Sequence, residues 1–411
     1  GPAAAIRLVC DERPVGAGQA ARAGLVDAVA ERDAAAIELA RTLLPVVQRS
    51  GPDARPAGPA GTGIDDALAA VRRRMPGQTA PETAIALIRS AAAQSPEEAE
   101  QAERAARITL AGGMQAAALR HIARAEARAV ASDSGRRVAT AVVVGGGTMG
   151  ASIAHALTLA GITVTVVETD AAGVSRANSN LDALRRQTAA RGVTLPPSPR
   201  TVAGYDALPD ADIAIEAAFE DLGVKQAIFA QLAASLPEST ALATNTSYLD
   251  VNRIAEGIPH PDRLLGLHFF SPAHVMRLVE IIRADATSGD TLALAHGLAA
   301  QLGKIPVAAG ICDGFIGNRI LTRYRQSTDI LLLEGALPWQ VDRAMQDFGM
   351  AMGPYAVQDL SGLDIAYANR QRLKLRDDPA HRYIPVADRL VEGLQRLGRK
   401  TGAGWYDYPD G

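Results

Sequence analysis

Cysteine is nearly absent from this chain: 411 residues hold two, Cys10 and Cys312, in neither CxxC nor metal-ligand spacing. A disulfide framework and a thiolate zinc site are thereby excluded, no metal is expected, and a reducing, intracellular setting follows. Cys312, beside a glycine turn, is expected to be a small buried apolar residue. Aromatic residues make up only 4%, which with abundant alanine favours helices. Neither sign of charge dominates: 42 basic against 45 acidic residues leave a net −3. That gives no electrostatic footprint for nucleic acid or an anionic membrane. No uncharged apolar run of about 18 residues occurs, so no membrane span is expected. The start, Gly1-Pro2-Ala3-Ala4-Ala5, lacks a basic region followed by an apolar core and is no signal peptide. Without an initiating Met it reads as a processed fragment.

What remains is globular in composition, 48% hydrophobic and 21% charged, and long enough for two or three domains. Residues 6–50 read as short helical pieces, as in the run from Ile37 to Leu44, within a first segment over 1–50. Residues 51–61 are rich in Gly and Pro and read as a linker, the first part of a linker-and-helix segment over 51–137. Within it, Thr79 with Glu82 and Ser95 with Glu98 have capping-box spacing. Ser132-Asp133-Ser134-Gly135 breaks the helical pattern. The texture then changes. Short apolar runs at 139–144, 163–167, 213–215, 241–243, 264–267, 278–282 and 305–307 read as strands, the early ones separated by helical stretches. This predicts a parallel, doubly wound α/β domain over 138–310. After Gly310 the strand signals stop, which predicts an all-α domain over 311–411.

The first of these strands runs into Gly145-Gly146-Gly147-Thr148-Met149-Gly150. Gly145, Gly147 and Gly150 form G-x-G-x-x-G between a strand and a helix. The three glycines allow a tight turn, close backbone approach to a pyrophosphate, and close helix–strand packing. The helix N-terminus presents free N–H groups to phosphate. Glu168 ends the next strand; an acid there accepts from a ribose 2′-hydroxyl and repels a 2′-phosphate, which favours NAD over NADP.

Four polar residues follow: Ser247, His268, Glu280 and Asn318, separated by 21, 12 and 38 residues. Glu280 lies in the apolar run Leu278-Val279-Glu280-Ile281-Ile282, where an unpaired charge is costly. A His268–Glu280 pair supplies the partner and raises the basicity of the imidazole. Asn318, at the start of the helical domain, is placed to meet the sheet domain across a cleft. His155, on the helix after the glycine turn, is best explained by helix packing, and Lys304 by a role at strand entry.

From about 138 to 408 the chain closely resembles the 3-hydroxyacyl-CoA dehydrogenase family. The resemblance is carried by Gly145 to Gly150, by Glu216-Ala217-Ala218-Phe219-Glu220-Asp221-Leu222 with Lys225, and by Asn245-Thr246-Ser247. It continues through His268-Phe269-Phe270-Ser271-Pro272, Gly314 to Arg319, Met352-Gly353-Pro354 with Asp359, Gly362-Leu363-Asp364, and Lys400-Thr401-Gly402-Ala403-Gly404-Trp405-Tyr406. It implies NAD as cofactor and oxidation of an (S)-3-hydroxyacyl-CoA to the 3-ketoacyl-CoA. His268 would be the general base and Glu280 its orienting acid, with Ser247 and Asn318 holding the substrate oxygen. Gly145, Gly147, Thr148, Met149, Gly150, Glu168, Ala217 and Asn245 would line the cofactor, with Glu220 and Lys225 near its nicotinamide end. Arg185, Arg186 and Arg191 fall where the family clamps CoA phosphates.

Residues 6–44 resemble the C-terminal end of the crotonase (enoyl-CoA hydratase) fold, in Arg7-Leu8-Val9 and in the text from Ala17 to Val29. The order of a crotonase remnant, a linker and a dehydrogenase is that of multifunctional β-oxidation enzymes. No pair of carboxylates in residues 1–50 corresponds to crotonase catalytic acids, so no hydratase activity is expected. A homodimer through the helical domain and a thiolase-type partner subunit are both open, and a bacterial-type, cytoplasmic setting is expected. Two rivals stand beside this reading. One is a related NAD-dependent dehydrogenase of another hydroxy acid, of the gulonate or crystallin-like kind. The other is a non-catalytic scaffold role for residues 1–130.

Overall fold

A computed structural model describes residues 2–10, 15–26, 28–31, 33–43, 64–130, 137–206, 208–374, 376–377 and 382–409. The Gly/Pro-rich linker at 51–61 and the break at 132–135 lie outside the described residues. The chain divides into two compact units, residues 1–123 with 346–351 and residues 124–345 with 352–411.

The N-terminal segment is helical: α1 (Pro2–Cys10), α2 (Ala17–Arg22), α3 (Asp33–Leu43), α4 (Ile64–Arg74), α5 (Thr79–Ala91), α6 (Pro96–Gly112) and α7 (Met114–Val130). Ile6, Cys10, Ile64, Val71 and Ile85 close a small core among α1, α4 and α5. Ser95 and Glu98 form the expected capping box on α6. Thr79 and Glu82 do not. Gln78 is the cap residue of α5, Thr79 donates to Gln115, and Glu82 accepts from Arg72 at 2.7 Å. A tertiary partner has taken each side chain from its local role.

The second unit carries an eight-stranded sheet of order β3-β2-β1-β4-β5-β6-β7-β8. In chain order its elements are β1 (Thr140–Val144), α8 (Thr148–Leu159), β2 (Thr163–Glu168), α9 (Ala171–Ala189), β3 (Arg200–Ala203), β4 (Ile213–Glu216), α10 (Leu222–Ser235), β5 (Ala241–Thr244), α11 (Val251–Ala255), β6 (Leu264–Phe269), β7 (Leu278–Ile282), α12 (Gly289–Gln301) and β8 (Ile305–Ala309). Strand residues alternate between two cores. Ala141 and Val143 join the layer holding Ile153, Leu157 and Leu298, while Val142 and Val144 join the one holding Phe229 and Leu232. This is a doubly wound, Rossmann-type domain.

Two features depart from the sequence reading. β3 was not anticipated: it is a four-residue, half-exposed edge strand with too little apolar text to signal itself. The sheet is also not parallel throughout, because β7 pairs antiparallel with β6 and parallel with β8. Only residues 270–277 join β6 to β7, and a parallel crossover takes a dozen or more.

An all-α domain follows: α13 (Gly317–Leu333), α14 (Pro338–Phe348), α15 (Pro354–Ser361), α16 (Leu363–Arg372) and α17 (Val386–Glu392). Its glycine-rich text serves buried carboxylates. Asp359 accepts from the N–H groups of Trp405 and Tyr406 at 2.8 and 3.0 Å. A Cβ on Gly404 would fall 1.9 Å from that carboxylate, and one on Gly353 would fall 2.2 Å from Asp342.

Candidate active site

The sheet order reverses between β1 and β4, the place where an open α/β sheet receives ligands. Gly145 leaves β1 at a φ of 91°, which favours glycine. A Cβ on Gly150 would lie 1.7 Å from the Gly145 carbonyl oxygen, so only glycine lets α8 start this close to β1. A Cβ on Gly147 would meet nothing within 4 Å; the turn faces open space there. Thr148 and Met149 form the first turn of α8, with Thr148 exposed and Met149 half-buried. Ala217, past β4, donates its N–H to the Val144 carbonyl at 2.8 Å and walls the turn. Glu168 ends β2, and its Oε1 accepts from the Gly146 N–H at 2.6 Å. The open turn, the helix N-terminus and the carboxylate fit a dinucleotide with a free 2′-hydroxyl.

The chain Ser247–His268–Glu280 lies at the carboxyl end of the same sheet. The antiparallel register places His268 directly opposite Glu280, so both side chains point to one face. Glu280 Oε2 is 2.8 Å from His268 Nδ1, and the two residues are 1% and 3% exposed. Burial raises the Glu280 pKa, but hydrogen bonds from His268, Gly317 and Ile316, with the His268 charge, outweigh it and hold the carboxyl below its ordinary value. An ionised Glu280 accepts from Nδ1–H, so in the neutral imidazole Nε2 is the nitrogen left to accept a proton. Nε2 lies 3.2 Å from Ser247 Oγ.

Glu280 also fixes the start of the helical domain. Its Oε1 accepts from Gly317 N–H at 2.7 Å and Ile316 N–H at 3.1 Å. A Cβ on Gly317 would press to 2.7 Å from the Phe270 ring, which itself lies tilted against the His268 ring with centroids 4.7 Å apart. Asn318 is the next residue. It is half-buried and stands outside the hydrogen-bonded chain of the other three, carried to it by the Gly317 bond.

Asn245 accepts from Phe269 N–H at 2.9 Å through Oδ1 and so ties β5 to β6. Glu220 accepts from the Thr246 hydroxyl and from the N–H groups of Ser247 and Tyr248. Lys225, expected beside the cofactor, is 1% exposed and donates to both oxygens of Glu216 at 2.7 and 2.9 Å. Glu216 is a site neighbour not expected from the sequence. Its signal was the one that exposed Glu280, an acid in an apolar strand, Ile213-Ala214-Ile215-Glu216. Arg185 donates to the Pro196 carbonyl at 2.8 Å, while Arg186 and Arg191 are exposed. Among the described residues no contact joins these three.

Outside the site, His155 is fully buried, with Nε2 2.8 Å from the Thr188 hydroxyl. Lys304 donates to the carbonyls of Ala273 and Met276 at 2.6 and 2.7 Å, pinning the β6–β7 connection just before β8. Cys312 is exposed, contrary to expectation: it sits on the connection leading out of β8, not in a core. Among the described residues no cluster of His, Cys, Asp or Glu could hold a metal ion, and no helix is long and apolar enough to cross a membrane.

Comparison with known proteins agrees with this geometry. Residues 140–312 match the model of the 3-hydroxyacyl-CoA dehydrogenase NAD-binding domain, and residues 314–408 that of the C-terminal domain. The peroxisomal bifunctional enzyme of Cavia porcellus is 35% identical over 99% of this chain and 61% of its own length. The human peroxisomal bifunctional enzyme is 35% identical over 84% of this chain and 51% of its own length. The chain thus spans about three fifths or less of these relatives. Among solved structures, a 3-hydroxybutyryl-CoA dehydrogenase from Escherichia coli is 36% identical, covering 67% of this chain and 61% of that one, with a TM-score of 0.61. An (S)-3-hydroxybutyryl-CoA dehydrogenase from Ralstonia eutropha is 33% identical, covering 67% of this chain and all of that one, with a TM-score of 0.59. The expected cytoplasmic setting is corrected by the curated relatives, which are named as peroxisomal or glyoxysomal; address signals are short and receptor-read, so composition does not carry them. The chain belongs to the 3-hydroxyacyl-CoA dehydrogenase family, whose first matched domain binds NAD.

Proposed function

We propose that this chain oxidises the 3-hydroxyl of an (S)-3-hydroxyacyl-CoA to the ketone, as in fatty-acid β-oxidation, with His268 as general base. The observation that carries the reading is the Ser247–His268–Glu280 hydrogen-bonded chain at the carboxyl end of an NAD-binding sheet. The substrate hydroxyl donates to His268 Nε2, which takes the proton. Ionised Glu280 stabilises the imidazolium so formed. The Ser247 hydroxyl and the Asn318 amide hold the substrate oxygen, fixing C3 in one orientation. Bound NAD supplies the hydride acceptor. Gly145, Gly147, Thr148, Met149 and Gly150 hold its pyrophosphate end, Glu168 its adenosine ribose, and Ala217, Glu220 and Asn245 line the wall toward the site. Arg186 and Arg191, free at the surface, are the candidates for CoA phosphate.

The helical domain offers a surface for a partner. A groove of about 910 Å³ is lined by Ile311, Cys312, Ile316, Ile320 and Arg323, and Ile320 on α13 is 65% exposed. A second copy of this chain or a thiolase-type subunit covers it in this reading.

The test is NADH oxidation with acetoacetyl-CoA against free acetoacetate. Activity on the thioester and none on the free acid is expected. Turnover of the free acid alone would replace this reading with the hydroxy-acid rival.

A further inference from the structure

The deepest ion pair beside the site has no place in the mechanism above. Glu216 and Lys225 are 0% and 1% exposed. Besides two bonds from Lys225, Glu216 accepts from the Ala218 N–H at 2.7 Å and the Thr244 hydroxyl at 2.8 Å. Lys225 stands 3.3 Å from Glu220 Oε2. The other oxygen of Glu220 is the informative one. Onto Oε1 converge the Thr246 hydroxyl at 2.6 Å, the Ser247 N–H at 2.9 Å and the Tyr248 N–H at 3.1 Å. Thr246 Oγ1 accepts in turn from the Leu249 N–H at 3.0 Å. The turn bearing Ser247 is therefore gathered onto one carboxylate oxygen, and that carboxylate is tethered by a buried lysine.

We propose that Glu216, Lys225, Glu220 and Thr246 are positioning residues that hold the Ser247 hydroxyl beside His268, where it meets the substrate oxygen. The inference rests on the dehydrogenase reading and deepens it. Ser247 lies past the end of β5, so the sheet does not fix its hydroxyl; the Glu220 contacts do. A buried ion pair contributes little net stability once desolvation is counted, but it enforces one geometry. That geometry matters here because a displacement of about 1 Å in a reacting group costs about 10²-fold in rate. Lys225 acts through Glu220, and Glu220 through the turn, on an atom 3.2 Å from Nε2.

The test is a kinetic double-mutant cycle on the whole chain with acetoacetyl-CoA and NADH. Thr246→Val removes the hydroxyl and keeps the shape; Thr246→Ser keeps the hydroxyl. We expect Thr246→Val to lower kcat about tenfold or more with the KM for NADH within about twofold, and Thr246→Ser to restore kcat. In a Ser247→Ala background Thr246→Val should change kcat by less than about twofold, because the atom it positions is gone. Glu220→Gln, which retains an acceptor oxygen but loses the charge held by Lys225, should show the same dependence on Ser247, and it decides the question if Thr246→Val does not fold. Equal losses in both backgrounds mark a merely structural threonine and overturn the inference, as does a wild-type kcat in Thr246→Val and Glu220→Gln. Wild-type rates in His268→Gln and Ser247→Ala would instead remove the dehydrogenase reading on which it stands.

Discussion

At the scale of single residues, this protein places ionisable groups where their charge state is dictated by neighbours. Glu280 is kept ionised by donors that outweigh its burial. His155 is the opposite case. Burial, then the charges of His274 and Arg185, push it down to about 4. The folded chain keeps this imidazole neutral until the pH nears that value, whereas the unfolded chain takes up the proton near 6.5. The unfolded state binds more protons in that window, so stability is full above pH 6.5 and falls as the pH drops toward 4, by about 3 kcal/mol for this group. Urea unfolding at pH 7 and pH 5 should show the loss in the wild type and a shallower dependence in His155→Gln. Equal slopes would contradict the assignment. The sequence marked His155 as a packing residue, but the Thr188 contact and the facing His274 ring, 5.2 Å away, come from elements brought together only by the fold.

At the scale of elements, the site is a consequence of register. Twelve residues separate His268 from Glu280 because β6 and β7 form an antiparallel pair that seats them opposite each other. The spacing was readable in the sequence and the strand direction was not, since apolar runs look alike in either direction. The short connection at 270–277 was the available clue. β3 escaped notice because a short edge strand needs few apolar residues. Glu280 could be found because an acid in an apolar strand demands a partner, and Glu216 met the same criterion. Gly317 could not be found, because its need for glycine comes from the Phe270 ring. Gly317→Ala should therefore force that ring to shift, costing about 1–3 kcal/mol and lowering kcat through the adjoining His268. Thermal unfolding and steady-state kinetics of the variant check both effects. Unchanged stability and turnover would show that the ring yields freely.

At the scale of the whole molecule, the proposed catalysis falls in the second compact unit. The glycine turn, the Ser247–His268–Glu280 chain and the buried carboxylates of the helical domain all lie in residues 124–345 and 352–411. Among its described residues the first unit has a small core formed by Ile6, Cys10, Ile64, Val71 and Ile85, and no pair of catalytic acids is assigned in it. Crotonyl-CoA offered to this chain without NAD should show no loss of its enoyl absorbance, and hydration by the chain would overturn that assignment. The matched relatives are bifunctional and multifunctional enzymes, of which this chain covers 61% and 59% of the length.

In the proposed reaction His268 is the base. The direct measurement is single-turnover reduction of acetoacetyl-CoA by NADH in His268→Gln, alongside NADH binding followed by fluorescence. A rate about 10²–10⁴-fold below wild type is expected, with NADH affinity within about twofold. A wild-type rate in that variant would contradict it.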